Sequence, residues 1–303
     1  MSLLSNLKLN NNIEGLLAVK SAQVLKTRTG DKMYLNLQLT DGCNEIAAKH
    51  WDYEGETPTA KVLYIKATVG EYRGEFQLII TSFRPATPEE YDPKQFLPVC
   101  PVPLEELWKR WDILASQVKN SQLINLLTLV KEKHGERFAE APGAVTHHHA
   151  CIGGCLQHSV SVAEMANSMW QPGLNRDLLI VGGVLHDIGK MIAYDWSEGV
   201  LAMSDEGQFL DHIMIGGFLL RDLAKEAGVE WKLTVKLLHI VASHHGQLEY
   251  GSPVVPKIPE AYIIHHCDMI DANVEKMLKV REKAEGSWAK VYGLGYVYTE
   301  TLK

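Results

Sequence analysis

The feature that most constrains the fold is a change in hydrophobic periodicity across a proline-rich segment. Half of the 12 prolines fall between residues 85 and 103, a stretch that cannot continue a helix or form a central strand. Before it, apolar residues such as Met33, Leu35 and Leu37 alternate with polar ones, which is the pattern of strands. After it, apolar residues recur at the spacing of helices. We therefore interpret the segment as a linker between a β domain and an α domain.

Five strands are predicted before the linker and seven helices after it. The strands are short and separated by glycine-containing turns, and the OB-fold is the commonest small closed barrel of five strands. The strands lie near residues 15–26, 32–39, 44–51, 61–69 and 75–83. The helices lie near residues 104–118, 120–133, 156–170, 177–188, 206–227, 231–243 and 259–284. The predicted fold class is α+β multidomain, with a five-stranded OB-type barrel at 12–90, the linker at 91–103, an all-α domain at 104–285 and a C-terminal tail at 286–303.

The distribution of charge favours a metal site in the α domain. The net charge of −7 argues at first against nucleic acid as a partner. Residues 1–95, however, carry 11 lysines and arginines against 12 acidic residues, so nearly all of the excess acid lies after them. A site built from carboxylates is locally acidic until its cations bind, so this balance is typical of a metal-dependent phosphohydrolase.

Two observations predict a cytoplasmic protein that has no membrane partner. The N-terminal residues lack a basic run followed by a long apolar core, and the longest apolar stretch is too short to cross a bilayer. Five cysteines, an odd number, argue against a disulfide framework and indicate reduced thiols.

Histidines and aspartates are spaced through the α domain in an order that predicts a metal site. Imidazoles and carboxylates bind divalent metals, and a metal-bound water is the usual nucleophile where no serine or cysteine is offered. Any one of these histidines is more often a packed or surface residue, so the argument depends on the set. The set is His158, His186, Asp187, His212, His244, His245 and Asp268.

The adjacent pair His186 and Asp187 is central to this prediction. It closes the apolar helix LLIVGGVLHDIGK, where Gly189 is expected to stop the helix, so both side chains emerge at one end of a rigid element. One metal would be held by His158, His186, Asp187 and Asp268. Asp187 would bridge to a second metal held by His212 and His244, and such a pair clamps the attacking and leaving oxygens at phosphorus. Lys190 would either contact a bound phosphate or serve as a surface charge at the helix end.

Four segments carry a resemblance to a known family. The order of the histidines and aspartates is similar to that of the HD-domain superfamily, mostly metal-dependent phosphohydrolases with an all-α fold. The segments are HHACIGGCLQHSVSVA, GGVLHDIGK, SHHGQLEYGSPVVPKIPEA and IIHHCDMIDA. Behind an OB-type barrel they resemble the YhaM-type 3′-to-5′ exoribonucleases from about residue 12 to about residue 285.

The resemblance implies an activity and a cofactor. We expect hydrolysis of single-stranded RNA, and in some members DNA, from the 3′ end, with release of nucleoside 5′-monophosphates. We also expect two divalent ions, with manganese favoured, although the ligand types alone also accept Fe, Co, Ni, Zn or Mg. Neither the choice of RNA over DNA nor the metal follows from the residues themselves.

The resemblance also implies roles for individual residues. The metal roles fall on His158, His186, Asp187 and Asp268, and also on His212 and His244. His245 could exchange roles with His244. Lys190 would steady the scissile phosphate beside Asp187, and His148, His149 and His265 would orient the ligands. Asp211 departs from the small residue expected before His212, and it could place a further carboxylate beside the second metal.

The barrel predicts a surface for single-stranded nucleic acid. OB-folds bind strands through one sheet face and the loops after strands one and four, which here contain Arg28 and the pair Tyr72-Arg73. Tyr34 and Trp51 are further candidates for base stacking, with barrel packing as the alternative for each. Phe76 is expected in the core because it shares a face with Leu78 and Ile80. The near-neutral charge of this region predicts weak binding.

Three other functions stay open on the sequence alone. The chain could be a phosphohydrolase of nucleotides or cyclic nucleotides, with the barrel serving assembly. It could be a non-catalytic nucleic-acid-binding protein, although ligand residues at every position argue against that. It could be an oxygenase with a mixed-valent iron pair, which iron on purification would favour. A homo-oligomer and the role of the tail are also open.

Overall fold

The chain forms two compact units. In this computed structural model, residues 3–146, 149–284 and 286–300 are described. The first unit runs to Pro98 and also includes Asp195–Ala202. The second comprises Val99–Tyr194 and the chain from Met203 onward.

The first unit is a closed five-stranded barrel. Its strands are β1 (Asn12–Lys26), β2 (Met33–Thr40), β3 (Glu45–Trp51), β4 (Val62–Tyr72) and β5 (Glu75–Pro85). They pair in the order β1-β2-β3-β5-β4 and close back onto β1, and only the β3–β5 pair is parallel. The alternating apolar residues, including Leu35, Leu37 and Leu78, fill the core. The predicted OB-type barrel is confirmed.

Two features of the first unit differ from the predictions. Phe76 is exposed instead of lying in the core, because β5 pairs with β3 only from Gln77 to Ile79 and Phe76 lies beyond that closure. The proline-rich segment contains two single-turn 3₁₀ helices, Pro88–Glu90 and Pro93–Phe96, and proline is tolerated at the first position of each.

One short segment within the helical part of the sequence belongs to the first unit. In the segment Asp195–Ala202, Val200 packs against a cluster that contains Val62 and Phe96. A Cβ on Gly199 would lie 3.2 Å from the Phe96 ring, so a bulkier residue would disturb this contact. The sequence predicted an uninterrupted α domain here.

The second unit is helical. Its helices are α1 (Leu104–Ala115), α2 (Ser121–Glu140), α3 (Gly154–Ser168), α4 (Arg176–Leu185), α5 (Lys190–Ala193), α6 (Asp205–Glu226), α7 (Trp231–Ser243) and α8 (Pro259–Lys283). The seven long helices lie where they were predicted, although α2 extends seven residues further and α4 ends three residues earlier than expected. The single turn of α5 was not predicted. Asn120, Asn175 and Ser204 cap α2, α4 and α6 by accepting backbone N–H hydrogen bonds.

A small core holds together the helices that carry the candidate ligands. Val162 of α3, Leu179 of α4, Ile240 of α7 and Ile264 of α8 are all fully buried in one cluster. Gly182 of α4 allows the close approach, since a Cβ there would lie 2.6 Å from Ile240 and 2.8 Å from Ile264. The helix ends are therefore fixed relative to one another before any polar contact is considered.

Short strands complete the structure. Strands β6 (Tyr194–Asp195) and β7 (Ala202–Met203) pair with each other, and so do β8 (Trp288–Val291) and β9 (Gly295–Tyr298). The β8–β9 hairpin gives the predicted tail a fold, and Arg281 Nε of α8 donates to the Thr299 carbonyl at 3.1 Å. Among the described residues, no helix combines the length and the apolar character needed to cross a membrane.

Candidate functional site

The predicted ligands converge from five helices of the second unit. His158 lies in α3, His212 in α6 and Asp268 in α8. His186 directly follows the last residue of α4, and His244 directly follows the last residue of α7. Each of the five helices therefore contributes one candidate ligand to a shared space, and α4 and α7 do so at their C-terminal ends.

Three of these residues form a first group of facing ligand atoms. The group consists of His158, His186 and Asp268, whose ligand atoms lie within 4.8 Å of one another. His158 Nε2 is 3.2 Å from His186 Nε2 and 3.1 Å from Asp268 Oδ1. Asp187 Oδ2 lies 3.4 Å from His158 Nε2 and 3.3 Å from His186 Nε2.

A second group faces the other oxygen of the same aspartate. It consists of His212, His244 and His245, again within 4.8 Å. Asp187 Oδ1 is 3.4 Å from His212 Nε2 and 3.4 Å from His244 Nε2. His244 and His245 both belong to this group, so the structure brings together the two residues that the sequence treated as alternatives.

The far nitrogen of each imidazole is held by a hydrogen bond. Backbone carbonyls of Gly183, Val241 and Tyr250 accept from the Nδ1 atoms of His186, His244 and His245, at 2.7, 2.7 and 2.8 Å respectively. Because a carbonyl oxygen can only accept, the ring proton lies on Nδ1 and the Nε2 lone pair faces the centre. This is the arrangement in which metal-binding histidines are oriented.

Three buried atoms, one from Asp187 and two from the second group, make the donor set fit a metal. Asp187 Oδ1, His212 Nε2 and His244 Nε2 are buried and have no hydrogen-bond partner among the described residues. Unsatisfied buried polar atoms are costly, and three that face one another without a proton between them are relieved by a cation. Nitrogen and carboxylate donors suit a divalent transition metal.

The electrostatics of the site favour positive charge. Burial alone would raise the pKa of Asp187, but Lys190 and the neighbouring imidazoles hold that pKa well below its ordinary value. Burial opposes a charged His158, yet hydrogen bonds with Asp187, Asp268 and Asp271 raise its pKa well above the ordinary value, so a metal that binds this ring would displace its proton. Burial lowers the pKa of His244 and of His245, which keeps both rings neutral, as a metal ligand must be.

Lys190 lies inside the site and not on the surface. It is the first residue of α5, is buried, and places Nζ 2.5 Å from Asp187 Oδ2. Burial would lower the pKa of Lys190, but Asp187 outweighs that effect and raises it. The ammonium group therefore stays charged beside the aspartate that both groups share.

Asp271 is a site residue that the sequence reasoning missed. Its Oδ2 is 2.7 Å from His158 Nδ1 and 2.7 Å from His149 Nε2, so it links a ligand to a buried neighbour. Burial would raise the pKa of Asp271, but His149 and His158 hold it below its ordinary value. The sequence could have indicated Asp271, because it follows Asp268 by three residues and therefore lies on the same face of the helix.

The other residues predicted to orient ligands have distinct placements. His265 Nδ1 is 2.7 Å from the His244 carbonyl oxygen and supports the backbone at that ligand. His149 contacts Asp271, as described above. His148 lies outside the described residues.

Asp211 orients His212 instead of joining the ligand groups. Its Oδ1 lies 2.6 Å from His212 Nδ1, the nitrogen opposite the one that faces Asp187. The hydrogen bond with His212 is the main reason why the pKa of Asp211 lies below its ordinary value. Asp211 adopts φ 58° and ψ 157° within α6, a strained conformation for a residue with a side chain. The resulting break in α6 lies directly before the ligand, where strain is commonly associated with function.

Glycines give the site its close backbone contacts. A Cβ on Gly189 would lie 2.0 Å from the His212 carbonyl oxygen, and one on Gly154 would lie 2.0 Å from that of His149. A Cβ on Gly246 would lie 2.2 Å from the His265 ring. Gly189 has a helical φ of −67°, so it is needed for space and not, as expected, to end the helix.

The barrel brings several predicted contact residues together on its surface. The Tyr34 and Trp51 rings form a cross-strand pair with centroids 4.9 Å apart. Lys49 Nζ lies 5.5, 5.3 and 5.2 Å from the ring centroids of Tyr34, Trp51 and Tyr72. Arg73 lies over Tyr72 at 5.2 Å. We call Tyr34, Lys49, Trp51, Tyr72 and Arg73 the barrel patch.

The barrel patch differs from the predicted set at two residues, Arg28 and Lys49. Arg28 is exposed in the loop after β1 and takes part in none of these ring contacts within the described chain. Lys49 was not predicted, although it is two residues before Trp51 on the same strand and therefore on the same face. Rings combined with cations suit stacked bases and a phosphate backbone.

Comparisons with known proteins agree with this architecture. A family model described as the HD domain matches residues 155–273, so the second unit contains an HD domain, a fold with divalent metal binding. Proteins named 3′-5′ exoribonuclease YhaM match nearly the whole chain. The one from Listeria welshimeri is 31% identical over 300 residues, covering 96% of this chain and 95% of the relative. The one from Bacillus subtilis is 30% identical over 285 residues, with 92% and 90% covered.

The similarity therefore extends over both units. A Geobacillus protein of the same name is 32% identical over 263 residues, covering 84% of this chain and 80% of the relative. This chain belongs to the YhaM family of 3′-5′ exoribonucleases. The resemblance predicted from the four sequence segments is confirmed.

Proposed function

We propose that this protein is a metal-dependent exonuclease that shortens single-stranded RNA from its 3′ end and releases nucleoside 5′-monophosphates. One observation carries the proposal: the buried Asp187 directs one carboxylate oxygen toward each of two groups of facing ligand atoms. A carboxylate shared in this way is what a two-metal phosphodiesterase site requires. The family relationship supports RNA as the substrate.

The proposed cofactor is a pair of divalent ions, with manganese favoured. Asp187 Oδ2 and the first group would hold one ion, and Asp187 Oδ1 and the second group would hold the other. When bound, such ions activate a water molecule and neutralise the charge that develops on the phosphoryl oxygens. The mixed nitrogen and oxygen donors support manganese but also suit Fe, Co, Ni or Zn, with Mg as a further alternative.

Residues around the ligands supply orientation and charge. Asp271 fixes the ring of His158, Asp211 fixes the ring of His212, and His265 fixes the backbone at His244. We propose that Lys190, which stays charged beside Asp187, stabilises negative charge on the scissile phosphate as it builds in the transition state.

The barrel would bind the substrate strand. Stacking on the barrel patch is tolerant of sequence because every base has a flat face, and Lys49 and Arg73 offer charge to the backbone. Arg28 would make a further contact with a phosphate. This mode of binding does not depend on a 2′-hydroxyl, so we propose that single-stranded DNA is accepted as well.

Two further aspects belong to the proposal. All five cysteines are unpaired, which supports a reducing compartment such as the cytoplasm, without a membrane partner. Exposed apolar side chains on α8, including Ile270, Val274 and Leu278, support self-association into a homo-oligomer.

The test is a time course on 5′-labelled single-stranded RNA with protein that has been stripped of metal and reloaded with manganese. A matched DNA strand and the His186→Ala/Asp187→Ala variant run beside it, with Asp222→Asn as a control at an exposed carboxylate of α6. We expect a ladder that shortens from the 3′ end, mononucleotide products and no shortening by the double variant. An untouched strand together with hydrolysis of free nucleotides would instead assign a nucleotide phosphohydrolase.

A further inference from the structure

We propose that the C-terminal hairpin formed by β8 and β9 is a second surface for single-stranded nucleic acid, separate from the barrel patch. The inference deepens the proposed function, because it assigns this surface to the strand that the exonuclease shortens. The hairpin contributes no residue to the candidate metal site.

The two faces of the hairpin differ in composition. Trp288 pairs with Tyr298 and Lys290 pairs with Tyr296, and because side chains alternate along a strand these four share one face. Ala289, Val291 and Val297 occupy the other face, where Val291 is buried. On the first face, Trp288, Tyr296 and Tyr298 are 62%, 71% and 50% exposed. The hairpin therefore presents three rings and one ammonium group to solvent.

This face repeats the chemistry of the barrel patch. Trp288 and Tyr298 form a cross-strand ring pair with centroids 5.4 Å apart, as Trp51 and Tyr34 do at 4.9 Å. Lys290 is two residues from Trp288 on its strand, just as Lys49 is two residues from Trp51. Rings that stack on bases, combined with a cation for a phosphate, are the usual elements of single-strand binding.

The composition favours nucleic acid over a protein partner. The outward face of the hairpin has no aliphatic side chain among its four residues, whereas the exposed stripe of α8 is rich in them. The carboxylate of Glu300 accepts a hydrogen bond from Tyr298 Oη at 2.7 Å and another from the Ser287 hydroxyl. Basic residues Arg281 and Lys283 lie in the last turn of α8, where the hairpin is attached.

The hairpin is fixed to the same helix that carries a ligand. Arg281 joins it to α8 through the Thr299 carbonyl, and Asp268 lies thirteen residues earlier on that helix, roughly 20 Å along its axis. A strand whose end is bound at the metal site would therefore reach the hairpin only with nucleotides far from the scissile bond. We accordingly expect the hairpin to bind long strands and to be irrelevant for very short ones.

The experiment compares the full-length holoenzyme with its Trp288→Ala/Tyr296→Ala variant. The matched control is Trp231→Ala, which removes a 66% exposed tryptophan at the start of α7. We expect KM for a long single-stranded RNA to rise roughly 25-fold in the hairpin variant, because stacking on each of the two rings contributes a factor of about five. KM for a very short strand should not change, and Trp231→Ala should behave as wild type on both.

A binding measurement separates failure of this inference from failure of the proposed function. Anisotropy of a labelled strand is recorded for each protein in an Asp187→Asn background, so that it reads out even if RNA is not a substrate. The hairpin variant should bind roughly 25-fold more weakly. Lys290→Gln should reduce the slope of log affinity against log salt by about 0.7, the loss of one phosphate contact.

Each outcome decides the question. Normal RNA shortening with wild-type KM, affinity and salt slope in the hairpin variants would overturn the inference and leave the exonuclease intact. The same result with a reduced sedimentation mass would assign the hairpin to contacts between copies of this chain. If the hairpin variants bind the strand more weakly but the wild-type holoenzyme does not shorten RNA, the hairpin surface is supported and the proposed function is refuted.

Discussion

The metal centre and the barrel patch are built in opposite ways. In the candidate metal centre, His186 and Asp187 are 1% and 2% exposed, and the far nitrogen of each histidine is held by a polar contact. In the barrel patch, Trp51 and Tyr72 are 43% and 54% exposed, and strand alternation together with contacts to neighbouring side chains sets their direction. Chemistry at phosphorus needs atoms fixed to a fraction of an ångström, whereas stacking tolerates displacement. Substitutions in the metal centre should therefore cause an abrupt loss of activity, whereas substitutions in the barrel patch should cause a gradual loss of binding.

The largest loss of activity is expected from Asp187→Asn. The amide cannot offer two anionic oxygens, so both ligand groups lose their shared member and Lys190 loses its partner. We expect RNA hydrolysis to fall at least about a thousandfold, since metal catalysis contributes several kcal/mol to the transition state. Elemental analysis should show reduced metal content. Retention of the metal with activity within tenfold of wild type would contradict the shared role.

A smaller loss is expected from Asp271→Asn, which leaves every ligand in place. His158 and His149 would keep a hydrogen-bonding partner but lose its negative charge. We expect metal affinity and activity to fall by about ten- to a hundredfold, with partial recovery at higher metal concentration. The control is Glu282→Gln, an exposed carboxylate on the same helix. A loss that excess metal cannot restore would point to a role outside metal binding.

Gly189→Ala tests whether space is limiting beside the metal centre. The added methyl group would overlap the His212 carbonyl oxygen, so we expect a loss of about 1–3 kcal/mol in the free energy of unfolding. Gly217→Ala in α6 is the matched control, because a Cβ there meets nothing within 4 Å. It should be neutral or should stabilise the protein by about 0.5–1 kcal/mol. Denaturant unfolding measures both, and equal effects would refute the argument from space.

The mildest effects belong to the barrel patch. Trp51→Ala should weaken the affinity for single-stranded RNA roughly tenfold, because stacking contributes about 1–3 kcal/mol per base. Lys49→Gln should reduce the salt slope of binding by about 0.7. Fluorescence anisotropy and thermal unfolding would be measured together. A lower melting temperature with unchanged affinity would mean that Trp51 serves barrel packing.

The difference between the two regions also explains what the sequence predicted. The five strands and seven long helices follow from strong apolar periodicity, and the residue types of the ligand groups were recognisable because such a set is rare. Asp271 and Lys49 were missed because each acts through a neighbour. Their roles depend on which face a helix or strand turns toward His158 or Trp51, and periodicity alone assigns no function to that face.

Local conformation was the least predictable level. Gly189 was expected to end a helix, but its requirement is the approach of α6, which is a long-range contact. Phe76 follows the alternation of β5, yet it lies beyond the barrel closure, and closure depends on pairing with β3. The strain at Asp211 has no sequence pattern at all, because a non-glycine residue at positive φ is held there by its surroundings.

The glycines beside the metal centre enlarge the mutational target of the site. Gly154, Gly189 and Gly246 supply no ligand atom, yet an added methyl group at each would enter space that a site histidine already occupies. In a random-mutagenesis screen for inactive enzyme, substitutions at these glycines would be recovered as often as substitutions at the ligand residues. Positions where substitution inactivates the enzyme would therefore surround the histidines, whereas few such positions would lie around Trp51.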